Sequence, residues 1–168
     1  HAQRFVQITL DDPGELVSNQ AVPAQVNLLG ALGASGLLLG LMECSLELAV
    51  DYLKERQAFG RTIGSFQALQ HRAADMWIQT ESSRSAVYRA AWGLGEQLEE
   101  APFLIAAAKA YSGDAAGFVC GETIQLFGGV GFTWEYDPHI YFKRVKTLQQ
   151  LYGSTRNQLE LALQAKGL

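Results

Sequence analysis

The stretch from Pro138 to Leu159 is the first place in this sequence where residue types limit the possible chemistry. It contains no Asp or Glu, and its charged residues are all basic: Lys143, Arg144, Lys146 and Arg156. At its centre, "QQLYGSTRNQ" places Gly153 where one helical pattern stops and another starts. A glycine has no side chain to accept a proton, so this position offers no general base.

A second candidate is the glycine cluster "QLFGGVGF" at residues 125–132. No strand pattern precedes it, so it matches neither a Rossmann dinucleotide-binding turn nor a Walker phosphate loop. Two interpretations stay open. The glycines can end a helix by adopting positive φ, or the bare backbone at Gly128 and Gly129 can let a flat or phosphorylated ligand approach closely.

The segment "ERQAFGRTIGSFQALQHRAADM" at residues 55–76 carries three side chains suited to such a ligand. Arg56 supplies a bidentate donor for phosphate, Phe59 an aromatic face and Gln67 an amide. Arg56 also fits a simpler role, because a cation near the C-terminus of a helix interacts favourably with the helix dipole.

Metal binding and nucleophilic catalysis are not predicted. The histidines and cysteines are dispersed along the chain: His1, His71, His139, Cys44 and Cys120. His71 and Asp75 lie one helical turn apart and are interpreted as a pair on a helix surface. No GxSxG or Cys/His signature is present. Both cysteines lie in apolar stretches without a CxxC motif, which predicts reduced, buried thiols and a cytoplasmic protein.

Charge and hydropathy limit the class of protein. The net charge of −4 and a pI near 5.3 argue against a nucleic-acid binder. Residues 21–42 carry no charge and are long enough to span a bilayer. Polar residues interrupt that run and it continues into "ECSLELAVDYLKER", so we expect a buried helix and no membrane span. Its glycines, at positions 30, 33, 36 and 40, predict close approach of other helices within a bundle or between subunits.

The elements that must position these residues are helical. Residues 4–10, "RFVQITL", alternate as a half-buried strand, and "DDPGE" then breaks the chain. One strand cannot form a sheet, so residues 1–15 are interpreted as the tail of a preceding β-domain and a linker. Residues 16–168 are predicted to be one helical domain with no strand.

Glycine and proline divide this domain into five helices. We expect them at about residues 22–57, from a Ser65 cap to "GLGE", from Pro102 to Gly128-Gly129, at 138–151, and after Gly153. The predicted fold class is all-α: an antiparallel four-helix-type bundle with an extra short helix.

Three motifs together resemble the C-terminal helical domain of the acyl-CoA dehydrogenases: "YLKERQAFG…IGSFQALQHRAADM", "QLFGGVGFTWEYDPHIYFKR" and "LYGST". The resemblance extends from about residue 22 to 165. It implies a chain about half as long as such enzymes, which carry a helical domain and a β-domain ahead of the bundle.

The resemblance implies a site for FAD at an interface between subunits. On that pattern Arg56 would hold the pyrophosphate, with Phe59 and Gln67 beside it. Three further residues would receive the adenosine part, and two would add contacts to the dinucleotide: Gln125, Gly128 and Gly129, then Thr155 and Asn157. "FKRVK" departs from the family's usual Arg and Asp in this helix, so a family salt bridge is not expected there.

The resemblance also identifies what is missing. Family members usually carry a catalytic Glu directly after the Tyr of "Y-E-G-T", where it removes the α-proton of the thioester as hydride leaves for the flavin. This chain reads "Y-G-S-T", with Gly153 in that place. Some relatives hold the base on the first long helix, at a position that corresponds to Gly30 here. Neither place offers a carboxylate, so no catalytic residue is predicted.

Loss of a general base typically removes a factor of about 10² to 10⁴ from the rate. The prediction is therefore a base-less subunit of a heteromeric acyl-CoA dehydrogenase, with an acyl-CoA substrate and electron-transfer flavoprotein as acceptor. For the assembly, the resemblance implies a homo- or hetero-oligomer, a dimer or tetramer, with acyl-CoA dehydrogenase subunits. Base-less members resemble subunits of bacterial enzymes for bulky acyl thioesters. Two alternatives remain. The first is a fully active enzyme, with a base from the domains ahead of the bundle or from an unusual residue such as Glu135 or His139, although His139 is otherwise interpreted as a capping or surface histidine. The second is a flavin-free oligomerisation scaffold.

Overall fold

The computed structural model describes the backbone of residues 21–168 and the side chains from Ala24 onward. The strand predicted at residues 4–10 and the domain boundary at residue 15 lie outside this range. The described part contains five helices: α1 Ala21–Glu55, α2 Gln67–Gly95, α3 Ala101–Phe127, α4 Pro138–Gln150 and α5 Thr155–Ala165. The predicted all-α class and the helix ends at Gly95, Phe127 and Gln150 are thereby confirmed.

Helix α3 forms the centre of the bundle and contacts each of the other four helices. It runs parallel to α1, as shown by the Ser45 to Thr123 hydrogen bond of 2.9 Å and the stacking of Tyr52 on Phe127 at 4.0 Å. Helices α2 and α4 run antiparallel to it. The core is apolar and consists mainly of small and medium side chains, among them Leu38, Met42, Met76, Ile105, Val119, Val145 and Leu148.

A β-hairpin between α1 and α2 departs from the sequence prediction that everything after residue 15 is helical. Its strands, β1 Gln57–Ala58 and β2 Arg61–Thr62, pair antiparallel. The two turn residues Phe59 and Gly60 have φ of 53° and 77°, as a tight two-residue hairpin turn requires. Strands of two residues are too short to produce an alternating pattern, which is why the prediction was wrong here.

The predicted capping of α2 by Ser65 is also wrong. The residue before α2 is Phe66, which makes no side-chain cap. The Ser65 hydroxyl instead donates to the Thr62 carbonyl at 2.7 Å, within a 3-10 turn over Ile63–Ser65. The Ser65 hydroxyl therefore bonds to a backbone carbonyl of the hairpin and does not cap α2 as the sequence pattern predicts.

The two cysteines differ from each other. Cys120 is fully buried in α3, and burial raises the pKa of its thiol to about 11. Cys44, predicted to be buried as well, is exposed on α1. The reason is that α1 buries only one face against the bundle.

The other face of α1 is apolar and uncovered by the described residues. Val26, Leu29 and Leu37 are more than half exposed. By length and composition this helix could cross a membrane, with a mean hydropathy of 1.5 in its most apolar window, of which 39% is buried. Among its glycines, only Gly30 has a close neighbour; a side chain at 33, 36 or 40 would meet no atom within 4 Å. The predicted close approach is therefore met within this part of the chain at Gly30 alone.

Candidate functional site

The turn between α4 and α5, residues 151–154, contains the position where the sequence predicts a missing base. Tyr152 and Gly153 have φ of 59° and 100°. A φ of 100° is rarely adopted by residues with a Cβ, so glycine is favoured there. Ser154 then caps α5, since its hydroxyl accepts the Asn157 amide at 3.4 Å. The break and restart predicted at Gly153 are confirmed.

Gly153 lies in the wall of a cleft of about 690 Å³, which we call the central cleft. The first residues of α1 and α3 and the 151–154 turn enclose it. Its polar lining residues are all uncharged: Asn27, Gln150, Tyr152, Ser154, Asn157 and Gln158. Within the described part of the chain, the lining contains no Asp, Glu, His or Lys. These groups can bind and orient a ligand, but none is a carboxylate able to remove a proton at carbon.

Tyr152 brings the two expected base positions together. A Cβ added at Gly30 would overlap the Tyr152 ring, so the phenol occupies the space that a side chain at position 30 would need. The ring also lines a smaller cleft of about 470 Å³, the side cleft, together with Gly30 and Gly33 of α1. Both positions at which the sequence resemblance leads us to expect a base are thus glycines next to one aromatic ring.

Lys109 of α3 contacts the same turn and was missed by the sequence analysis. Its side chain is 1% exposed, and its ammonium donates to the carbonyls of Gln149 at 3.4 Å and Gly153 at 3.3 Å. Burial lowers the pKa of this lysine. A lone lysine in the alanine-rich sequence "IAAAKAYSG" gives no signal of this contact, because the partners are backbone carbonyls 40 and more residues away.

Six of the eight predicted cofactor-binding residues gather at a different place, where α1 and α3 end. Tyr52 stacks on Phe127 there, and it also contacts Tyr136 edge-on at 6.0 Å. We call this surface the α1–α3 end; it includes the hairpin and the 3-10 turn that follows α3. Its predicted members are all exposed: Arg56, Phe59, Gln67, Gln125, Gly128 and Gly129.

The geometry of the α1–α3 end leaves its binding groups available. Phe59 is 94% exposed at the tip of the hairpin. The Arg56 guanidinium makes no ion pair with any residue from 24 to 168. Gly128 ends α3 with φ of 64°, and a Cβ at Gly128 or Gly129 would meet nothing within 4 Å. The helix-ending interpretation is confirmed, and the exposed backbone is compatible with the second one.

Thr155 and Asn157, the remaining two predicted residues, do not lie at the α1–α3 end. Thr155 is beside Gly113 of α3 and donates to Asp114 at 2.8 Å. Asn157 receives a hydrogen bond from Ser154 and lines the central cleft. Gly113 and Gly128 are about 22 Å apart along α3 from the helical rise. One copy of this chain therefore presents the eight residues as two separate groups.

The alternative bases lie far from Gly153. His139 is at the start of α4 and the helical rise places it about 17 Å from Gln150 at the end. It is 4% exposed, so its interpretation as a surface residue is wrong. Its Nδ1 lies 3.1 Å from the Tyr136 carbonyl, and the buried Nε2 has no partner among residues 24–168. Glu135 lies in the preceding turn and is exposed.

The remaining predictions concern metal ions and the pair on α2. The described residues contain no group of three or more His, Cys, Asp or Glu side chains that could hold a metal. His71 and Asp75 are both exposed, and no hydrogen bond or ion pair joins them. Their neighbour Arg72 instead bonds to Glu122 of α3 at 2.8 Å, which ties α2 to the centre of the bundle.

The described residues form a five-helix bundle with an exposed glycine turn at the end of α3 and a cleft lined in part by α5. The sequence model described as "Acyl-CoA dehydrogenase, C-terminal domain" matches residues 28–166, and the chain belongs to the acyl-CoA dehydrogenase family. It is 40% identical over 121 residues to acyl-CoA dehydrogenase IpdE2 of Mycobacterium tuberculosis, an alignment covering 72% of this chain and 36% of that protein.

Two solved structures are similar in fold. The structure of butyryl-CoA dehydrogenase from Megasphaera elsdenii has a TM-score of 0.83 and 31% identity, and covers 92% of this chain and 40% of that one. The ChsE4-ChsE5 complex from Mycobacterium tuberculosis has a TM-score of 0.83 and 28% identity, and covers 88% and 40%. The chain therefore spans less than half the length of these relatives.

Proposed function

We propose that this chain is the C-terminal domain of a flavoprotein subunit for α,β-dehydrogenation of acyl-CoA thioesters, in which the subunit itself supplies no catalytic base. The observation that carries the proposal is Gly153 in the wall of a cleft to which residues 24–168 contribute no carboxylate. A partner subunit with the family's Glu would perform the proton abstraction. This chain's part would be to complete a binding site for the cofactor.

The α1–α3 end fits the ADP half of FAD. Arg56 would hold the pyrophosphate, because a guanidinium without an ion pair in the described chain can bind phosphate oxygens through two parallel hydrogen bonds. Gly128 and Gly129 leave bare backbone for the adenosine part, and Phe59 offers an exposed ring beside it. Bound FAD would supply the hydride acceptor for the reaction.

The division of the predicted residues supports a cofactor shared between chains. Thr155, beside Gly113, lies about 22 Å along α3 from Gly128, and Asn157 lines the central cleft. In the proposed assembly, the α1–α3 end of one chain would grip the dinucleotide of another. The residues near Gly153 would face a different flavin.

The partner is proposed to be a second, base-bearing acyl-CoA dehydrogenase polypeptide. The similarity to the ChsE4-ChsE5 complex supports this choice, since that structure contains two different proteins. The apolar face of α1, with Leu29 and Leu37 more than half exposed, provides surface that other chains or domains can cover. Electron-transfer flavoprotein remains the proposed acceptor on the basis of the family alone.

The two alternatives gain no specific support. A base from Glu135 or His139 would have to act from the far end of α4. A flavin-free scaffold would have no need for the exposed Arg56 and the bare Gly128-Gly129 backbone that the α1–α3 end retains.

The test is to purify the polypeptide that contains this chain twice, once alone and once after co-expression with a homologue carrying the Tyr-Glu-Gly-Thr motif. Flavin absorbance and its bleaching by acyl-CoA are measured in both preparations. Turnover only with the partner is expected. Turnover without a partner would reject the proposal, and colourless protein in both preparations would favour the scaffold.

A further inference from the structure

Lys109 makes contacts that the proposed function does not use. It is the largest fully buried side chain in the described part of the chain. No carboxylate of residues 24–168 pairs with it; its bonds go to the carbonyls of Gln149 and Gly153. Burying an ammonium without a counter-charge is costly. A buried ammonium of this kind is tolerated where its hydrogen bonds fix a part of the structure that other residues cannot fix.

The 151–154 turn is what these bonds hold. The end of a helix leaves carbonyls without intrahelical partners, and buried ones need donors from elsewhere. Here side chains supply these donors. Lys109 donates hydrogen bonds to the Gln149 and Gly153 carbonyls, and Gln158 Nε2 donates one to the Tyr152 carbonyl at 2.5 Å. The negative end of the α4 dipole also favours a cation at this place.

A fourth bond fixes α4 itself to the centre of the bundle. Gln149 Nε2 donates to the Gly113 carbonyl on α3 at 2.8 Å, one turn beyond Lys109. Because Gln149 and Lys109 both join α3 to α4, the end of α4 cannot shift along α3 without breaking both. Tyr152 and Gly153, which have left-handed backbone conformations, therefore directly follow a helix end that is fixed in place.

We propose that Lys109 is a positioning residue, whose buried ammonium holds the turn so that residue 153 and the start of α5 face the central cleft. It would act on bound ligand only through the turn. Its importance for activity rests on the proposed function. Its effect on the turn does not, so the experiment below can fail without affecting that proposal.

The experiment is amide hydrogen exchange of the complete chain with Lys109→Met, which keeps the length of the side chain and removes its donors. The exposed Lys143→Met is the matched control. We expect the amides of Gly153 and Gln158, which bond to Gln150 and Ser154, to exchange about tenfold faster or more in Lys109→Met. Amides of α2 should change no more than in the control.

Lys109→Gln is the conservative variant, because its amide can still donate to one carbonyl and should restore part of the protection. A uniform change over all helices, no change at the turn, or no difference between the Gln and Met variants would overturn the proposal. If Lys109→Met does not fold, nitrogen-detected NMR of the unsubstituted chain decides. The Lys109 ammonium protons should exchange with water more slowly than those of Lys143, and equal rates would overturn the assignment.

Discussion

The 151–154 turn and the α1–α3 end differ in how their polar groups are used. At the turn, buried side chains from α3 and α5 bond to the carbonyls, and the hydroxyl of Thr155 is bonded to Asp114. At the α1–α3 end, Arg56 and the Gly128-Gly129 backbone face outward. The first region is completed by its own chain, but its lining from residues 24–168 contains no carboxylate. The second has its binding groups ready for a molecule from outside.

This contrast allows the turn and the proposed cofactor site to be tested separately. The turn at Gly153 is supported by buried hydrogen bonds from Lys109 and Gln158, whereas the groups proposed to bind flavin are exposed. The predictions below test the contrast through the free energy of unfolding and through flavin binding.

The largest effect is expected for Phe127→Ala, which removes the buried aromatic ring beneath the α1–α3 end. Phe127 is 4% exposed and stacks on Tyr52. Its truncation should lower the free energy of unfolding by about 3–5 kcal/mol, measured by urea denaturation. Phe132→Ala, at a residue 70% exposed, should change it by less than about 0.5 kcal/mol. Equal losses would mean that the exposed rim of this end also stabilises the fold.

Gly153→Ala comes next and tests whether the turn depends on glycine. The alanine would have to adopt a φ of 100°, and its methyl group would lie 2.8 Å from Gln158 Nε2. We expect a loss of about 1–3 kcal/mol in the free energy of unfolding. Gly33→Ala on α1 meets no atom within 4 Å, and should stabilise the helix by up to about 1 kcal/mol. A neutral Gly153→Ala would contradict the turn geometry.

Thr155→Val should have a smaller effect, because it removes one partly exposed hydrogen bond to Asp114. A loss of about 1 kcal/mol in stability is expected from the net value of such a bond. Thr155→Ser retains the hydroxyl and serves as the control. If Thr155→Ser loses stability and Thr155→Val does not, the methyl group rather than the hydrogen bond matters at this position.

Arg56→Ala should change stability least, by about 0.5 kcal/mol or less, because the side chain is exposed. Its effect should appear in FAD binding instead. Loss of a bidentate charge-assisted bond of about 1.5–3 kcal/mol corresponds to a roughly tenfold to hundredfold weaker affinity. Arg156→Ala, whose partner is Glu160 on the surface of α5, is the matched arginine control. Equal flavin retention in both variants would contradict the proposal that the α1–α3 end binds the ADP half of FAD.

Helix boundaries could be predicted because glycine and proline mark them physically. Pro138 begins α4, and Gly128 and Gly153 adopt positive φ where helices end. The hairpin at Gln57–Thr62 could not, since two-residue strands have no period to detect. The Ser65 cap failed because a nearby carbonyl competed for its hydroxyl.

The candidate site was predictable only in part, for a related reason. Motifs give residue types along the chain, but not their distances in space. That Thr155 lies far from Gly128 along α3 follows from helix packing, as does the overlap between Gly30 and Tyr152. Lys109 could not be found at all, because its partners are backbone atoms that every sequence has.

The Tyr152 ring packs directly against Gly30, so substitutions at these two positions are energetically coupled. Any side chain added at 30 must first displace the ring, so its cost should depend on what residue 152 is. Substitutions at the pair are therefore expected to be non-additive, with Gly30→Ala tolerated far better beside Tyr152→Ala than beside the native tyrosine. A substitution that placed an acid at position 30 would therefore require the Tyr152 ring to be smaller or to turn away.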